Sequence, residues 1–135
     1  MEAVAKLNNN RSSARKMRLV ADLIRGVDVD EAITTLQHTQ KKVARDLEKL
    51  LLSAISNWQQ KHEGAAIDES QLYIKNILVD DGPILKRFQP AAFGRANKIR
   101  KRMNHVTVVI DSREEVELPG PEESEAEQEQ GPEQE

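Results

Sequence analysis

The sequence predicts an α+β domain from which a long β-hairpin protrudes. Residues 41–62 place apolar side chains at helical spacing, which is the strongest helix pattern in the chain. Two later segments, LYIKNILV (72–79) and HVTVVI (105–110), have the aliphatic and β-branched composition of strands. If these strands pair in antiparallel fashion, residues 80–102 between them form a hairpin much longer than an ordinary turn.

The chain begins with a short strand and a first helix. Residues 3–7, AVAKL, fit a strand, and the three asparagines at 8–10 favour a turn. A helix then starts at one of the serines of residues 12–13, since Ser is a favoured N-cap residue, and runs to about Arg25. Gly26 readily adopts the left-handed conformation that ends many helices.

The first helix has one apolar and one basic side. The apolar side carries Met17, Val20 and Ile24. The opposite side carries Arg15, Arg18 and Arg25, with Asp22 among them. Such a basic stripe is equally compatible with a solvated helix face and with a surface that contacts nucleic acid.

Two further helices complete the first half of the chain. Asp28 and Glu31 resemble a capping box that opens a short helix, with Ile33 and Leu36 on its buried side. The third helix, residues 41–62, should be the centre of the core, with a buried side formed by Val43, Leu47, Leu50, Leu51, Ala54, Ile55 and Trp58. We expect Trp58 to anchor the core rather than to stack on a nucleobase, because large aromatic side chains are usually buried.

The two strands differ in the polarity of their faces. Simple alternation over residues 72–79 places on one face Tyr73, Ile77 and Val79. The other face then carries Leu72, Ile74 and Leu78, so both faces are apolar and both should be at least partly covered. The second strand has a single apolar face, formed by Val106, Val108 and Ile110, with His105 and Thr107 opposite.

Charge divides the chain into two unequal parts. Residues 1–110 carry 19 Lys or Arg and 12 Asp or Glu, whereas residues 111–135 carry one Arg and 11 acidic residues, so the net charge of −3 describes neither part. From residue 114 onward the chain is a low-complexity run of Glu, Pro and Gln with almost nothing to bury. We therefore predict one domain over residues 1–111 and an acidic, disordered tail over 112–135.

The sequence contains none of the usual patterns of catalytic or metal-binding residues. There is no cysteine, and the three histidines, His38, His62 and His105, lie in no metal-ligand spacing. The Asp80-Asp81-Gly82 triplet fits a turn better than a cation site, and no glycine-rich phosphate loop is present. We predict no catalytic residue, metal or cofactor.

No signal-peptide or membrane-spanning pattern occurs, so a soluble intracellular protein with no membrane partner is expected.

The segment KRFQPAAFGRANKIRKR (86–102) is the strongest functional feature of the sequence. It contains seven Lys or Arg and no acidic residue, and such a segment is most stable against a polyanion. The chain has only four aromatic residues, so contacts should be made to phosphates and not by stacking on bases. The uncharged stretch PAAFG (90–94) separates two basic arms, which fits a wedge that passes through folded RNA. The alternative is a flexible surface loop.

Two other functions are compatible with parts of the chain. The basic stripe of the first helix could belong to a DNA-binding regulator that acts as a dimer on palindromic sites. The acidic tail could be the binding element of a protein-interaction module. We also expect the tail to screen the basic body in the free protein and to weaken non-specific RNA binding, the alternative being a solvated tail without a role.

Several motifs together resemble one known family. SARKMRLVADLIRG (13–26), the KK pair at 41–42, SAISN (53–57) and DDGPILKRFQPAAFGRANKIRKRMNHVTVVI (80–110) are similar to the bacterial large-subunit ribosomal protein family L twenty-two. The resemblance covers residues 3–111. It implies three helices packed on a three-stranded antiparallel sheet, and a structural role in the cytoplasmic ribosome.

The resemblance also implies partners and binding residues. Family membership would mean binding to large-subunit ribosomal RNA, contacts with neighbouring large-subunit proteins, a role in subunit assembly, and a hairpin that reaches the wall of the peptide exit tunnel beside the nascent polypeptide. The residues implied to bind ribosomal RNA are Lys6, Arg11, Ser13, Arg15, Lys16, Arg18, Arg25, Lys86, Arg87, Arg95, Lys98, Arg100, Lys101 and Arg102. The tip of the hairpin, implied to line the tunnel, comprises Gln89, Pro90, Ala91, Ala92, Phe93 and Gly94.

The sequence departs from the family pattern at three places. Ala14 stands where Pro is usual at the start of the first helix, and Val27 replaces a common Lys. At the hairpin tip the usual pattern is close to RPRAxGR, whereas residues 89–95 read QPAAFGR, so two cationic positions are lost and an aromatic residue is gained.

Overall fold

In the part of the chain that the structure describes, the fold consists of three α-helices packed against one face of a three-stranded antiparallel sheet, as predicted. The structure, a computed structural model, describes residues 2–62 and 71–113. In chain order the elements are β1 Ala3–Asn10, α1 Ala14–Ile24, α2 Val29–His38, α3 Lys42–Lys61, β2 Leu72–Pro90 and β3 Ala96–Ser112. The strand order is β1-β3-β2, so β3 is central and the other two strands are edges.

The first strand is three residues longer than predicted. Pairing with β3 continues from Ala3 opposite Ile110 to Asn10 opposite Asn104, with a bulge after Leu7. Asn9 adopts a φ of 55° within this bulge. Asn tolerates that left-handed conformation better than most residues, so the asparagines that suggested a turn form a bulge within the strand instead.

The observed helix ends agree with those predicted from the sequence, except at the N-cap of α2. Ser13 is the N-cap of α1, where its Oγ accepts a hydrogen bond from the Lys16 N–H at 3.3 Å, and Gly26 follows the helix with a φ of 76°. Asp28 is the N-cap of α2, but its side chain makes no capping hydrogen bond, so the predicted capping box is wrong. The Asp28 carboxylate instead forms an ion pair with Arg113, a residue just beyond β3, at an N–O distance of 2.6 Å.

The long helix α3 supplies the largest share of the core. All seven residues predicted for its inner side are buried. Trp58 is 3% exposed and stacks on the ring of His62, which is the C-cap residue of the helix, at a centroid distance of 4.2 Å. Its role as a core anchor is confirmed. In α2, Leu36 is fully buried, whereas Ile33 is partly buried at the edge of the core.

The alternation predicted for the strand at residues 72–79 is wrong because of a β-bulge. The pairing of β2 with β3 shifts between Ile74 and Asn76, which inserts Lys75 as an extra residue. A bulge of this kind moves the following side chains to the opposite face. As a result Leu72, Ile74, Ile77 and Val79 all face the helices, and Leu78 is 49% exposed.

A second bulge in β2 marks the place where β2 and β3 leave the three-stranded sheet and continue as the two-stranded ribbon of the hairpin. The register shifts again between Asp81 and Ile84, opposite an uninterrupted β3. A Cβ on Gly82 would lie 3.0 Å from the Met103 backbone, so the close approach of the strands here depends on glycine. Since β3 has no bulge against β2, its even-numbered residues stay on the helix side along its whole length.

Two predictions concern residues outside the described part of the chain. The sequence also predicts a loop at residues 64–70, and that loop lies there entirely. The predicted tail begins at residue 112, which is the last residue of β3, and its residues from 114 onward also lie outside the described ranges.

Candidate nucleic-acid interface

The basic hairpin is a paired β-ribbon and not an irregular loop. Cross-strand pairs run from Ile84 opposite Arg102 to Pro90 opposite Ala96. Directly opposed residues of an antiparallel ladder lie on the same face. The ribbon therefore has two distinct faces, which continue the two faces of the sheet.

The two faces of the ribbon carry different charge. The helix-side face, which continues the buried face of β3, contains four of the basic residues, namely Lys86, Lys98, Arg100 and Arg102. The outer face contains only Arg87 and Lys101, together with Leu85 and Ile99. All six cations are exposed, and none forms an ion pair with a carboxylate of the described residues. The positive charge thus concentrates on the side of the ribbon that faces the helices.

A basic cleft lies where the ribbon meets the body of the protein. It has a volume of about 350 Å³. We use the name basic cleft for this cavity, which is lined by Arg11, Ser12, Ser13, Lys16, Lys42, Val43, Arg100 and Arg102. Five of these eight residues are cationic and none is acidic. This is the density of positive charge and of hydroxyl groups that phosphate oxygens favour.

Hydrogen bonds between distant segments of the chain hold residues of the basic cleft in place. Asn104 is fully buried, and its Nδ2 donates to the Ser12 carbonyl at 2.9 Å and to the Ser12 Oγ at 2.8 Å. The Arg11 guanidinium donates to the Arg102 carbonyl at 3.0 Å. Both bonds join the segment before α1 to β3 across about ninety residues of sequence, so the cleft depends on the tertiary fold.

Two helices begin at the basic cleft. Ser13 is the N-cap of α1, and Lys42 is the first residue of α3. The first N–H groups of a helix lack intrahelical partners, and the helix dipole makes this end positive. Anions are therefore favoured at such ends, which adds to the attraction of the five cations.

Two arginines of the first helix are bonded to the sheet. Arg18 donates from Nε and Nη2 to the Val79 carbonyl at 3.3 and 3.0 Å, and Arg25 donates to the Ile77 carbonyl at 3.1 Å. These carbonyls lie on the free edge of β2, which has no further strand beside it in the described sheet. The two side chains satisfy that edge and remain about half exposed.

The other predicted binding residues fall into separate locations. Arg15 is exposed near the start of α1, whereas Lys6 lies opposite Thr107 on the outer face of the sheet, away from the cleft. Arg95 follows the tip turn of the hairpin. The structure brings together in one place Arg11, Ser13, Lys16, Arg100 and Arg102.

The tip of the hairpin presents an exposed aromatic side chain. The Ala91 N–H donates to the Arg95 carbonyl at 2.8 Å and closes the turn. Phe93 and Gly94 both have left-handed backbone conformations, with φ of 59° and 68°. Phe93 is 98% exposed, so the turn projects its ring into solvent.

Three lining residues of the basic cleft, Ser12, Lys42 and Val43, were not among the predicted site residues. Lys42 lines the cleft, and its only sequence signal is the Lys41-Lys42 pair placed before a long helix. Ser12 was predicted only as a possible N-cap residue. Neither Ser12 nor its partner Asn104 carries a local signal of a binding site, since their contact joins distant segments.

The described residues contain no group of three or more His, Asp or Glu side chains placed to hold a metal ion. Within the same ranges, no helix is both long enough and apolar enough to cross a membrane.

The chain is similar to known proteins over most of its length. The family described as Ribosomal protein L22p/L17e matches residues 5–111. The chain is similar to the large ribosomal subunit protein uL22 of Flavobacterium psychrophilum, with 56% identity over 110 residues that cover 82% of this chain and 80% of the relative. It is 55% identical to that of Christiangramia forsetii over 80% of each chain, and 51% identical to that of Bacteroides fragilis over 81% of this chain and 79% of the relative.

Proposed function

The chain belongs to the ribosomal protein L22p/L17e family, and we propose that it binds large-subunit ribosomal RNA through its basic cleft and the helix-side face of its hairpin. It is a constituent of the large ribosomal subunit, in the cytoplasmic ribosome, and not an enzyme. Binding would support assembly of the subunit, where neighbouring large-subunit proteins are further partners.

One observation carries this proposal: the cations of the basic cleft and of the helix-side face form a continuous surface. Arg100 and Arg102 belong to both. A phosphate backbone that enters the basic cleft at the N-termini of α1 and α3 can continue along the ribbon past Lys98 and Lys86. Such contacts release counterions and position the RNA without reading its bases.

The hairpin is proposed to carry its tip to the wall of the peptide exit tunnel. From Ile84 to Pro90 each arm extends by about 20 Å beyond the body, at roughly 3.3 Å per residue. The basic arms would lie against RNA phosphates, whereas the tip, which lacks charge between Gln89 and Gly94, would lie where RNA is no longer the main neighbour. The nascent polypeptide would then pass beside Phe93.

The DNA-binding alternative is disfavoured by the structure as well as by family membership. It needs the basic stripe of α1 to be free to enter a groove. Arg18 and Arg25 are instead hydrogen-bonded to the edge of β2.

RNA binding can be tested with matched substitutions in the full chain. Replacing Lys16 and Arg102 by Gln should weaken binding to large-subunit RNA and reduce the slope of log K against log salt by about 2. Lys49 and Arg45, on the exposed side of α3, provide the control with the same loss of charge. Equal losses from both pairs would contradict a role for the cleft.

The position of the tip can be tested by photo-crosslinking in assembled large subunits. A photoreactive residue at Phe93 should crosslink to a stalled nascent chain, whereas the same residue at Leu19, which is exposed on α1, should not. Absence of nascent-chain crosslinks from Phe93 would refute the proposed place of the tip, and would leave the RNA-binding proposal to be judged by the affinity measurements.

A further inference from the structure

The acidic segment after β3 is not explained by membership of the family. The family match ends at residue 111. The 22 residues that follow Arg113 include ten Glu and no Lys or Arg, whereas residues 1–113 carry a net charge of +7. The family function therefore does not account for this segment.

We propose that residues 114–135 bind the basic cleft of the same chain in the free protein, and that RNA phosphate displaces them. The displacement step rests on the proposed RNA-binding function. The docking step does not, because it follows from the charges and geometry of this chain alone.

The basic cleft offers what a run of carboxylates needs. Its five cations, Arg11, Lys16, Lys42, Arg100 and Arg102, form no ion pair with a carboxylate of the described residues. Two helix N-termini add donors and positive potential at the same place. Carboxylate and phosphate oxygens accept hydrogen bonds from Arg and from backbone N–H groups in the same way. The cleft therefore suits both ligands.

The acidic segment is long enough to reach the basic cleft. Along β3, Ser112 lies about 33 Å from Arg102, at roughly 3.3 Å per residue. The 22 residues after Arg113 can span about 70 Å when extended. Because the segment is attached to the domain, its effective concentration at the cleft is of the order of millimolar, so even weak contacts give substantial occupancy.

The cleft is a better docking place than the rest of the hairpin. Its cations converge on one concavity, whereas those of the ribbon are spread along an exposed strand pair. The outer face of the hairpin offers only two cations, Arg87 and Lys101, and each lies directly opposite an apolar residue, Ile99 and Leu85 respectively. The hairpin tip lies about 20 Å farther from the end of β3 than Arg102 does, at roughly 3.3 Å per residue.

Docking can be measured with a spin label in the full chain. The chain has no cysteine, so Ser124→Cys creates a single attachment site within the acidic segment. At low salt the label should broaden the amide resonances of the cleft residues, at 11–16, 42–43 and 100–102, more than those of residues 86–90. Replacing the ten Glu of residues 114–135 by Gln, with the label kept, should remove the broadening, as should high salt. Absent broadening, or broadening spread evenly along the hairpin, would overturn the proposal.

Competition with RNA provides the second readout. At low salt, the full chain with the ten Glu→Gln changes should bind a single-stranded RNA oligonucleotide about two- to tenfold more tightly than wild type, because the competitor at the cleft is gone. In the labelled protein, the same oligonucleotide should relieve the broadening. If docking is seen but RNA neither relieves it nor binds more tightly to the neutral variant, displacement is refuted. Loss of RNA binding in the Lys16→Gln, Arg102→Gln protein tests the proposed function separately.

Discussion

Arg15 and Arg18 show how two residues of the same type on one helix acquire different roles. Both lie on the basic side of α1, and no feature of the sequence separates them. Arg18 is turned toward β2, where its guanidinium bonds the Val79 carbonyl and lies 3.8 Å from Asp81. Arg15 is exposed, with no ion pair to a described carboxylate. Arg18 is therefore a structural residue as well as a candidate RNA ligand.

Methionine substitutions at these two positions should separate stability from binding. Arg18→Met removes two hydrogen bonds to the edge strand and should lower the free energy of unfolding by about 1 kcal/mol, a modest value because the side chain is half exposed. Arg15→Met should leave stability unchanged and weaken RNA binding only. Urea denaturation and RNA affinity, measured on both proteins, check this. A loss of stability in the Arg15 variant equal to that of the Arg18 variant would contradict the assignment.

Gly82 is the residue at which the second bulge can be tested. Gly82→Ala would place a methyl group 3.0 Å from the Met103 backbone and should destabilise the domain by about 1–3 kcal/mol, with shifted amide resonances at Met103 and Asn104. Gly94→Ala is the control, because open space surrounds that position and its strain is confined to the hairpin tip. Wild-type stability and unshifted resonances in the Gly82→Ala protein would show that the strands do not approach as closely as described.

At the scale of elements, the two bulges of β2 keep its side chains in phase with β3. The first turns Ile77 and Val79 toward the helices, and the second places Lys86 and Phe88 on the same side as Arg100. The bulge residue Lys75 also joins the three strands, because its Nζ bonds Glu2 beside β1 and lies 3.2 Å from the Asp111 Oδ2 of β3. Its hydrogen bonds, first with Glu2 and then with Asp111, raise the pKa of Lys75.

The two faces of the hairpin carry different numbers of cations, which leads to a prediction. It compares two double variants that each lose two positive charges. Lys86→Gln with Lys98→Gln removes two cations of the helix-side face, and should lower the salt slope of RNA binding by about 2. Arg87→Gln with Lys101→Gln removes two cations of the outer face, and should lower the slope by less. Affinity titrations over a range of salt concentrations check this, and equal slopes for the two variants would refute a one-sided path for the RNA.

At the scale of the whole molecule, the helices and the sheet form the core, whereas the hairpin extends away from it. The buried apolar residues of the described chain all lie in the helices and in the sheet, and none lies between residues 80 and 105. The hairpin buries little and is held by its ladder and its junction with the sheet. The domain should therefore tolerate a shorter hairpin.

Shortening the hairpin should leave the domain folded while weakening its function. Lys86 and Arg100 are directly opposed, so residues 87–99 can be replaced by an Asn-Gly turn that keeps the basic cleft. We expect a melting temperature within about 4 °C of wild type, because the core is untouched. The RNA salt slope should fall by about 2–3, since Arg87, Arg95 and Lys98 are lost. A much larger loss of thermal stability would mean that the ribbon supports the core.

The sequence by itself determined the elements and the class of partner. Periodicity is a local property, so the inner side of α3 and the apolar face of β3 could be predicted, and a basic segment without acids predicted a polyanion. The motifs also led to the family. The face that each residue of β2 presents was decided only by the tertiary structure, because a bulge forms where two distant strands must stay in register. The basic cleft likewise exists only after folding, since it joins residues 11–16, 42–43 and 100–102, whose proximity no local pattern encodes.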